Sequence, residues 1–243
     1  MKTRPRTSKA ELLIGLRTGI DPKAFRAAFT GMAEAAAGGL RPGIGQTWSL
    51  ALLPGEMAIL PHQVLMKDSP APFDAIIQFA SNDAADLPVM TDELAKLARE
   101  LAPWLDPARS AVLVGQEIPI TRGIGPVMVA MPLRRLPQLT HEEFMKHWFE
   151  RHASLGEAVE GVRYWQNHVD AVATGALAVR IGLRFEPMDG LTESYFMTTD
   201  EAVELLSREE VAVGAIDDEK RFIDHTRSQF GLYRALVQQP PAA

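Results

Sequence analysis

Cysteine is absent from this chain, which excludes disulfides, thiolate nucleophiles, iron–sulfur clusters and cysteine-ligated zinc. Basic charge is in deficit. Twenty-five Lys and Arg against 31 Asp and Glu leave a formal charge of −6, without the positive field that nucleic-acid binding needs. No apolar run approaches the roughly 20 residues of a spanning helix. The basic start Met1-Lys2-Thr3-Arg4-Pro5-Arg6 is followed by no apolar signal core. A soluble, cytoplasmic protein with neither membrane nor nucleic-acid partner is expected. Gly-rich phosphate loops are missing too: Gly38-Gly39 ends a helix and Gly43-Ile44-Gly45 precedes a strand, so no nucleotide cofactor is expected.

What is present is a repeated order of elements. Glu11–Arg17 reads as a buried strand. Asp21-Pro22 supplies an N-cap and a first-turn proline for a helix that ends at Gly38-Gly39. Strands come next at Gly45–Leu53 and, after a Pro-rich excursion from Pro54 to Pro72, at Phe73–Ala80. Asp92 is expected to cap a second helix with Leu94, Leu97, Leu101 and Trp104 on its apolar stripe, and Ser110–Thr121 is a fourth strand. The order recurs as a strand at Pro126–Leu133, a helix from Thr140, strands at Val162–Val172 and Gly190–Thr198, a helix from about Asp200 and a strand at Gly231–Val237. Each half reads β-α-β-β-α-β, the ferredoxin-like pattern. A four-stranded sheet with helices on one face leaves its other face needing cover. The expected fold is therefore α+β: two tandem ferredoxin-like units, residues 1–122 and 126–243, packed sheet to sheet. A single parallel α/β sheet is the weaker alternative, because each half places two strands in a row.

Histidine and tyrosine are scarce and uneven. His141, His147, His152, His168 and His225, with Tyr164, Tyr195 and Tyr233, all lie after residue 126, and His62 stands alone in the first half. Thr140 and Glu143 form a capping box, with Leu139 and Phe144 placed as a hydrophobic staple. Phe144, Trp148, His152 and Leu155 then share one helical face, which puts His152 at the helix–sheet interface and leaves His141 and His147 exposed. Along Val162–Asp170, strand alternation separates Tyr164, Gln166 and His168 from Trp165, Asn167 and Val169. If the polar row faces the helices, His152, His168, Tyr164 and Gln166 surround one pocket. If it faces the other way, it lies between the sheets. His152 as a core-edge residue and the polar row as a solvated edge strand are the plainer readings. Asp224 is placed to orient a histidine, and Glu193 and Asp189 are further candidates. The spacing of His141, His147 and His152 spreads them around a helix and suits no metal site.

Thr140-His141-Glu142-Glu143-Phe144, His147-Trp148, Arg151-His152-Ala153 and Tyr164-Trp165-Gln166-Asn167-His168 together resemble the EthD domain signature, as do Asp189-Gly190 and Asp218-Glu219 with Phe222-Ile223-Asp224. The resemblance covers residues 126–238; the first half is similar in layout only. It implies the dimeric α+β barrel, here as a pseudo-dimer within one chain, with ligands between the helices and the outer sheet face. Related barrels include cofactor-independent monooxygenases, isomerases, decarboxylases, dehydratases and haem enzymes. The leading expectation is a cofactor-independent lyase or isomerase acting by proton transfer on a small apolar, aromatic, polyketide-like or lactone molecule. His168 serves as base, His152 as acid or oxyanion stabiliser and Tyr164 as donor, with Trp148, Trp165, Gln166, Phe144 and Tyr195 lining the substrate. Non-catalytic binding, monooxygenation and haem ligation by one histidine are the alternatives, and the pseudo-dimer is open to forming a homodimer.

Overall fold

A computed structural model of the chain describes residues 4–241, so Met1, Lys2 and Thr3 of the basic start lie outside it. Eight strands form: β1 (Thr7–Ile14), β2 (Ile44–Ala51), β3 (Ala75–Ser81), β4 (Ala111–Pro119), β5 (Val127–Leu133), β6 (Arg163–Val169), β7 (Gly190–Phe196) and β8 (Gly231–Gln239). They close into an antiparallel barrel in the order β1-β3-β2-β8-β5-β7-β6-β4. Strands of the first half run β4-β1-β3-β2 and those of the second β8-β5-β7-β6, the same alternation of hairpin neighbours about a central strand pair.

The two sheets are thus joined at both edges, and they do not merely face each other. At one seam Gln46 to Ala51 pairs with Gln239 to Tyr233; at the other Gly115 to Pro119 pairs with Val169 to Trp165. Closure satisfies the backbone N–H and C=O groups that an open edge would leave bare. It also divides every strand into an inward and an outward row, because successive side chains alternate.

The outward rows of the first half bury Ala10, Leu12, Ile14, Trp48 and Phe79 beneath two helices. Helix α1 (Pro22–Ala36) begins as expected, with Asp21 accepting from the Lys23 N–H, and lays Phe25, Phe29 and Ala33 on the sheet at steps of four. The short α2 (Pro61–Leu65) forms within the Pro-rich excursion. Helix α3 (Leu87–Glu100) starts earlier than Asp92, which lies mid-helix; Pro88 in the first turn and a preceding short turn opened by Asp83 fix its start. In the second half, α4 (His141–Lys146), a π-helical turn (His147–His152) and α5 (Ala153–Ala158) form one continuous helix. Helix α7 (Thr199–Leu206), a second π-helical stretch (Glu210–Ala215) and α8 (Ile216–Glu219) complete that layer.

Besides α2, one longer helix was not expected from the sequence. Helix α6 (Ala171–Ile181) is N-capped by Asp170, whose side chain accepts from the Val172 and Ala173 N–H groups, and ends at Gly182 in the left-handed conformation (φ 74°). Although it comes directly after β6, it packs across the seam on the first half: Leu177 and Leu183 join the cluster of Leu94 and Leu97, and Thr174 bonds both backbone groups of Val114. The Pro54–Pro72 excursion makes the reciprocal move, sending Leu60, His62 and Met66 into the helical layer of the second half. Each half therefore covers part of the other. Leu177→Ala should cost about 2–5 kcal/mol of stability, the range for truncating a buried leucine. Chemical denaturation should show that loss in one transition with the rest of the chain, since the helix belongs to one half and its core to the other.

Candidate functional site

The polar row of β6 points to the helices. Tyr164 and Gln166 are buried there beside Trp148, and Trp165 points into the barrel. The Tyr164 hydroxyl accepts from Trp148 Nε1 (2.9 Å) and Gln166 Nε2 (2.9 Å), and the same amide donates to the Trp148 carbonyl (3.0 Å). Two glycines make room for these rings. A Cβ at Gly190 would lie 2.3 Å from the Trp148 ring, and one at Gly156 would lie 2.6 Å from the Tyr164 ring. Phe144, also fully buried, packs its ring against Trp148 and Phe222.

The helix start obeys the capping box: Thr140 Oγ1 accepts from the Glu143 N–H and Glu143 accepts from the Thr140 N–H. Beyond Lys146 the helix widens into the π-helical turn. An extra residue per turn shifts the phase of the helix beyond it, so the five-residue step from His147 to His152 does not spread the two rings apart. Both reach one carboxylate: His147 Nε2 lies 3.0 Å from Asp218 Oδ1 and His152 Nδ1 lies 3.0 Å from Asp218 Oδ2. His147 is accordingly part-buried, contrary to the expectation that it is exposed. His141 does remain largely exposed, bonding Asp189, which also pairs with Arg135.

The neighbouring carboxylate gathers two more rings. Glu219 accepts from His62 Nε2 (3.2 Å) and His225 Nε2 (3.0 Å), and lies 4.0 Å from His152 Nε2. Burial opposes its charge, but the His62 ring and the hydrogen bonds from His225 and His62 outweigh this and hold the carboxyl well below its usual range. Asp218 is held low chiefly by its hydrogen bond from His152. The sequence singled out Asp224 as the orienting carboxylate. Its side chain instead accepts from Thr226 and pairs with Arg227, which makes it a turn residue. Two adjacent acidic residues, Asp218 and Glu219 on α8, do that work, and their tandem was visible only as part of the family signature.

A pocket of about 90 Å³ opens between this cluster and the sheet. His62, His152, Tyr164 and Glu219 border it, with Val129, Met131, Val159, Leu206, Val211 and Phe230 as apolar walls. With Nδ1 donated to Asp218, His152 keeps Nε2 as its second ring nitrogen on that side. Tyr164 already accepts twice, and burial pushes its phenol pKa far up, so it remains a proton donor at neutral pH. His168 sits off this pocket. Its Nε2 lies 3.1 Å from Gln166 Oε1, its ring lies against Trp148 and Phe149, and it steadies the amide that steadies Tyr164.

Trp165 and Tyr195 belong elsewhere. They face the barrel interior, where a cavity of about 520 Å³ opens at one end. At its base lies a layer of which the sequence singled out only Glu193: Lys9, Glu11, Gln78, Glu117 and Glu193, all buried. Lys9 and Glu11 precede or begin the segment read as an apolar strand; their alternation with Ala10 and Leu12 was the signal available. Neither opening fits haem ligated by a histidine. The helix-side pocket is far below the roughly 300–1,000 Å³ of small-molecule sites, while no histidine is among the described residues lining the barrel cavity.

Comparison with known proteins agrees with this geometry. Residues 136–226 match the EthD domain. That segment contains His147, His152, Tyr164, Gln166, His168, Asp218, Glu219 and His225, the whole cluster except His62. No curated protein matches the chain. Among solved structures, a candidate monooxygenase from Fusobacterium nucleatum subsp. nucleatum aligns over 100% of this chain and 98% of its own, at 10% identity and a TM-score of 0.57. A candidate monooxygenase from Lactobacillus acidophilus NCFM aligns over 98% and 99%, at 6% identity and a TM-score of 0.53. A candidate chlorite dismutase aligns over 95% and 94%, at 10% identity and a TM-score of 0.52. These likenesses show the fold alone, an α+β barrel of eight antiparallel strands.

Burial, with smaller contributions from the Arg6 and His141 charges, lowers the His168 pKa to about 4, against about 6.5 for an unperturbed imidazole. A histidine depressed on folding contributes stability that is present above the unfolded value and lost as pH falls towards the folded one. Stability should therefore decline between about pH 6.5 and pH 4. His168→Gln should flatten that part of the curve when unfolding free energy is measured by denaturant titration at successive pH values.

Proposed function

We propose that the EthD domain is a small-molecule enzyme of proton transfer, a lyase or isomerase, working in the helix-side pocket. His152 is the general acid–base. The observation that carries this reading is its pairing with Asp218 at 3.0 Å through Nδ1, on the edge of an apolar pocket that Tyr164 also borders. A carboxylate on one ring nitrogen fixes the tautomer and supports the positive charge formed when the other takes a proton. Tyr164 supplies the hydrogen bond to the oxygen on which charge develops, as in other preorganised donor sites. His168, read from the sequence as the base, is a positioning residue here, because its low pKa and its bond to Gln166 suit it poorly to take protons at neutral pH.

The substrate class that fits is a small carbonyl compound, aromatic, polyketide-like or lactone, with an acidic C–H beside the carbonyl. Tyr164 binds the carbonyl oxygen. His152 removes the proton and returns it to another carbon for isomerisation, or to a departing hydroxyl for dehydration. A pocket smaller than the ~150 Å³ cavity that admits benzene takes the reacting end of such a molecule. A whole ring enters only as the wall formed by Glu210, Val211 and Ala215 moves outward, and π-helical segments of this kind recur at functional sites. We also read residues 1–122 and 126–243 as tandem ferredoxin-like units, supported by the contiguous run of each half's four strands around the barrel.

The test is exchange and turnover. Aromatic ketones, enones and lactones incubated with the protein in D₂O should show deuterium uptake at the carbon beside the carbonyl by NMR. His152→Ala should lower the rate by ~10²–10⁴-fold, the usual worth of a positioned acid–base group, while leaving the fold intact by circular dichroism. Asp218→Asn should slow exchange while Tyr164→Phe slows it without shifting its pH profile. Ligand binding without exchange in the wild-type protein would reassign the pocket to a binding role.

A further inference from the structure

The barrel interior holds a second arrangement that the proton-transfer reading does not use. Its closed end is apolar, packed with Leu13, Ile76, Leu113, Met128, Leu191 and Tyr233. Above that floor comes a charged layer spanning the barrel. Lys9 on β1 reaches across to Glu193 on β7 (2.6 Å) and to Glu117 on β4 (2.5 Å), with Glu11 at 3.5 Å. Gln78 on β3 donates to both Glu193 and Glu11, and the Tyr195 hydroxyl donates to Glu193 (2.7 Å). Three carboxylates thus share one ammonium, all buried. Burial lifts Glu11 to about 8, so it carries a proton at neutral pH, and Glu117 is also raised by burial. Burial opposes the Lys9 charge, but the surrounding carboxylates outweigh it and keep the ammonium protonated.

Such a layer is expensive to bury, and apolar residues of the same volume would serve stability as well or better. It also has more acceptors than donors. Glu193 has both oxygens filled. Asn167 Oδ1 is buried with no donor, and Glu11 Oε1 makes no hydrogen bond, with Lys9 at 3.5 Å. Glu117, 8% exposed, gives Oε2 to Lys9, and no donor among the described residues reaches its Oε1. That carboxylate borders the 520 Å³ cavity, together with its partner Lys9 and with Thr7, Thr47, Trp165 and Tyr195. Trp165 and Tyr195 meet edge to face at 6.5 Å and form an aromatic wall on the same side. The volume falls within the range of small-molecule sites.

We infer that the open end of the barrel is a second binding site, for a small organic molecule bearing one primary ammonium group. The ammonium donates to Glu117 Oε1 and balances the surplus negative charge, and the aromatic wall stabilises it through its π faces. The exposed Arg122 lines the rim, so the ligand's outer end is neutral or anionic and a second ammonium is disfavoured. This site lies on the opposite side of the sheet from the His152 pocket and does not depend on the reaction proposed there.

Hexylamine, 6-aminohexanoate, 1-hexanol and hexanoate separate the contributions. Isothermal titration and tryptophan fluorescence should show binding of the two amines and none of the alcohol or the simple acid. Glu117→Gln should weaken amine binding at least tenfold, and His152→Ala should leave it unchanged. Thr47→Phe, which fills the mouth but keeps the charged layer, should also abolish binding and covers the case in which Glu117→Gln does not fold. Equal binding of 1-hexanol, undiminished binding by either folded mouth variant, or no response to either amine would overturn the assignment.

Discussion

Closure of the barrel is the constraint on which everything else in this protein hangs. Because β2 pairs with β8 and β4 with β6, no strand has a free edge and every side chain on the sheet must face either the helices or the interior. Strand β6 makes the effect plain. Its odd and even residues feed two unrelated environments within seven positions: Tyr164, Gln166 and His168 beneath the second helical layer, Trp165 and Asn167 within the barrel. A slip of one residue in its register would exchange the two sets and empty both.

Much of this was legible from the order of residues. Strand–helix order, the Asp21-Pro22 and Thr140–Glu143 caps and the alternation along β6 all rest on local rules, and local rules survive folding. Helix α6 could have been found the same way, since Asp170 and Gly182 bracket it; its uniform Ala and Val composition hid the period that would have marked it. Two things could not be read locally. The π-helical turn changes the angular step between His147 and His152, so ordinary helical spacing put them on different faces when they share Asp218. His62 reaches Glu219 from 157 positions away, which no spacing rule anticipates.

Charge carries a parallel lesson. On the helix side the carboxylates are matched by imidazoles: Asp218 has two partners, Glu219 two more at hydrogen-bond range, and both acids stay ionised. Inside the barrel carboxylates outnumber their counter-charge, and Glu11 and Glu117 are driven towards the protonated form. Residue type alone does not separate the two cases. What separates them is how many donors the surrounding strands and helices bring within reach.

The reciprocal arms have an effect on how the chain can change over time. Leu60 and Met66, carried by the link between β2 and β3, seal the later core, and Leu177 and Leu183, carried by the link between β6 and β7, seal the earlier one. A substitution in either link is thus judged by packing in the opposite half. The two halves are in this way tied to a common history, and neither is at liberty to drift, shrink or be exchanged without the other answering for it.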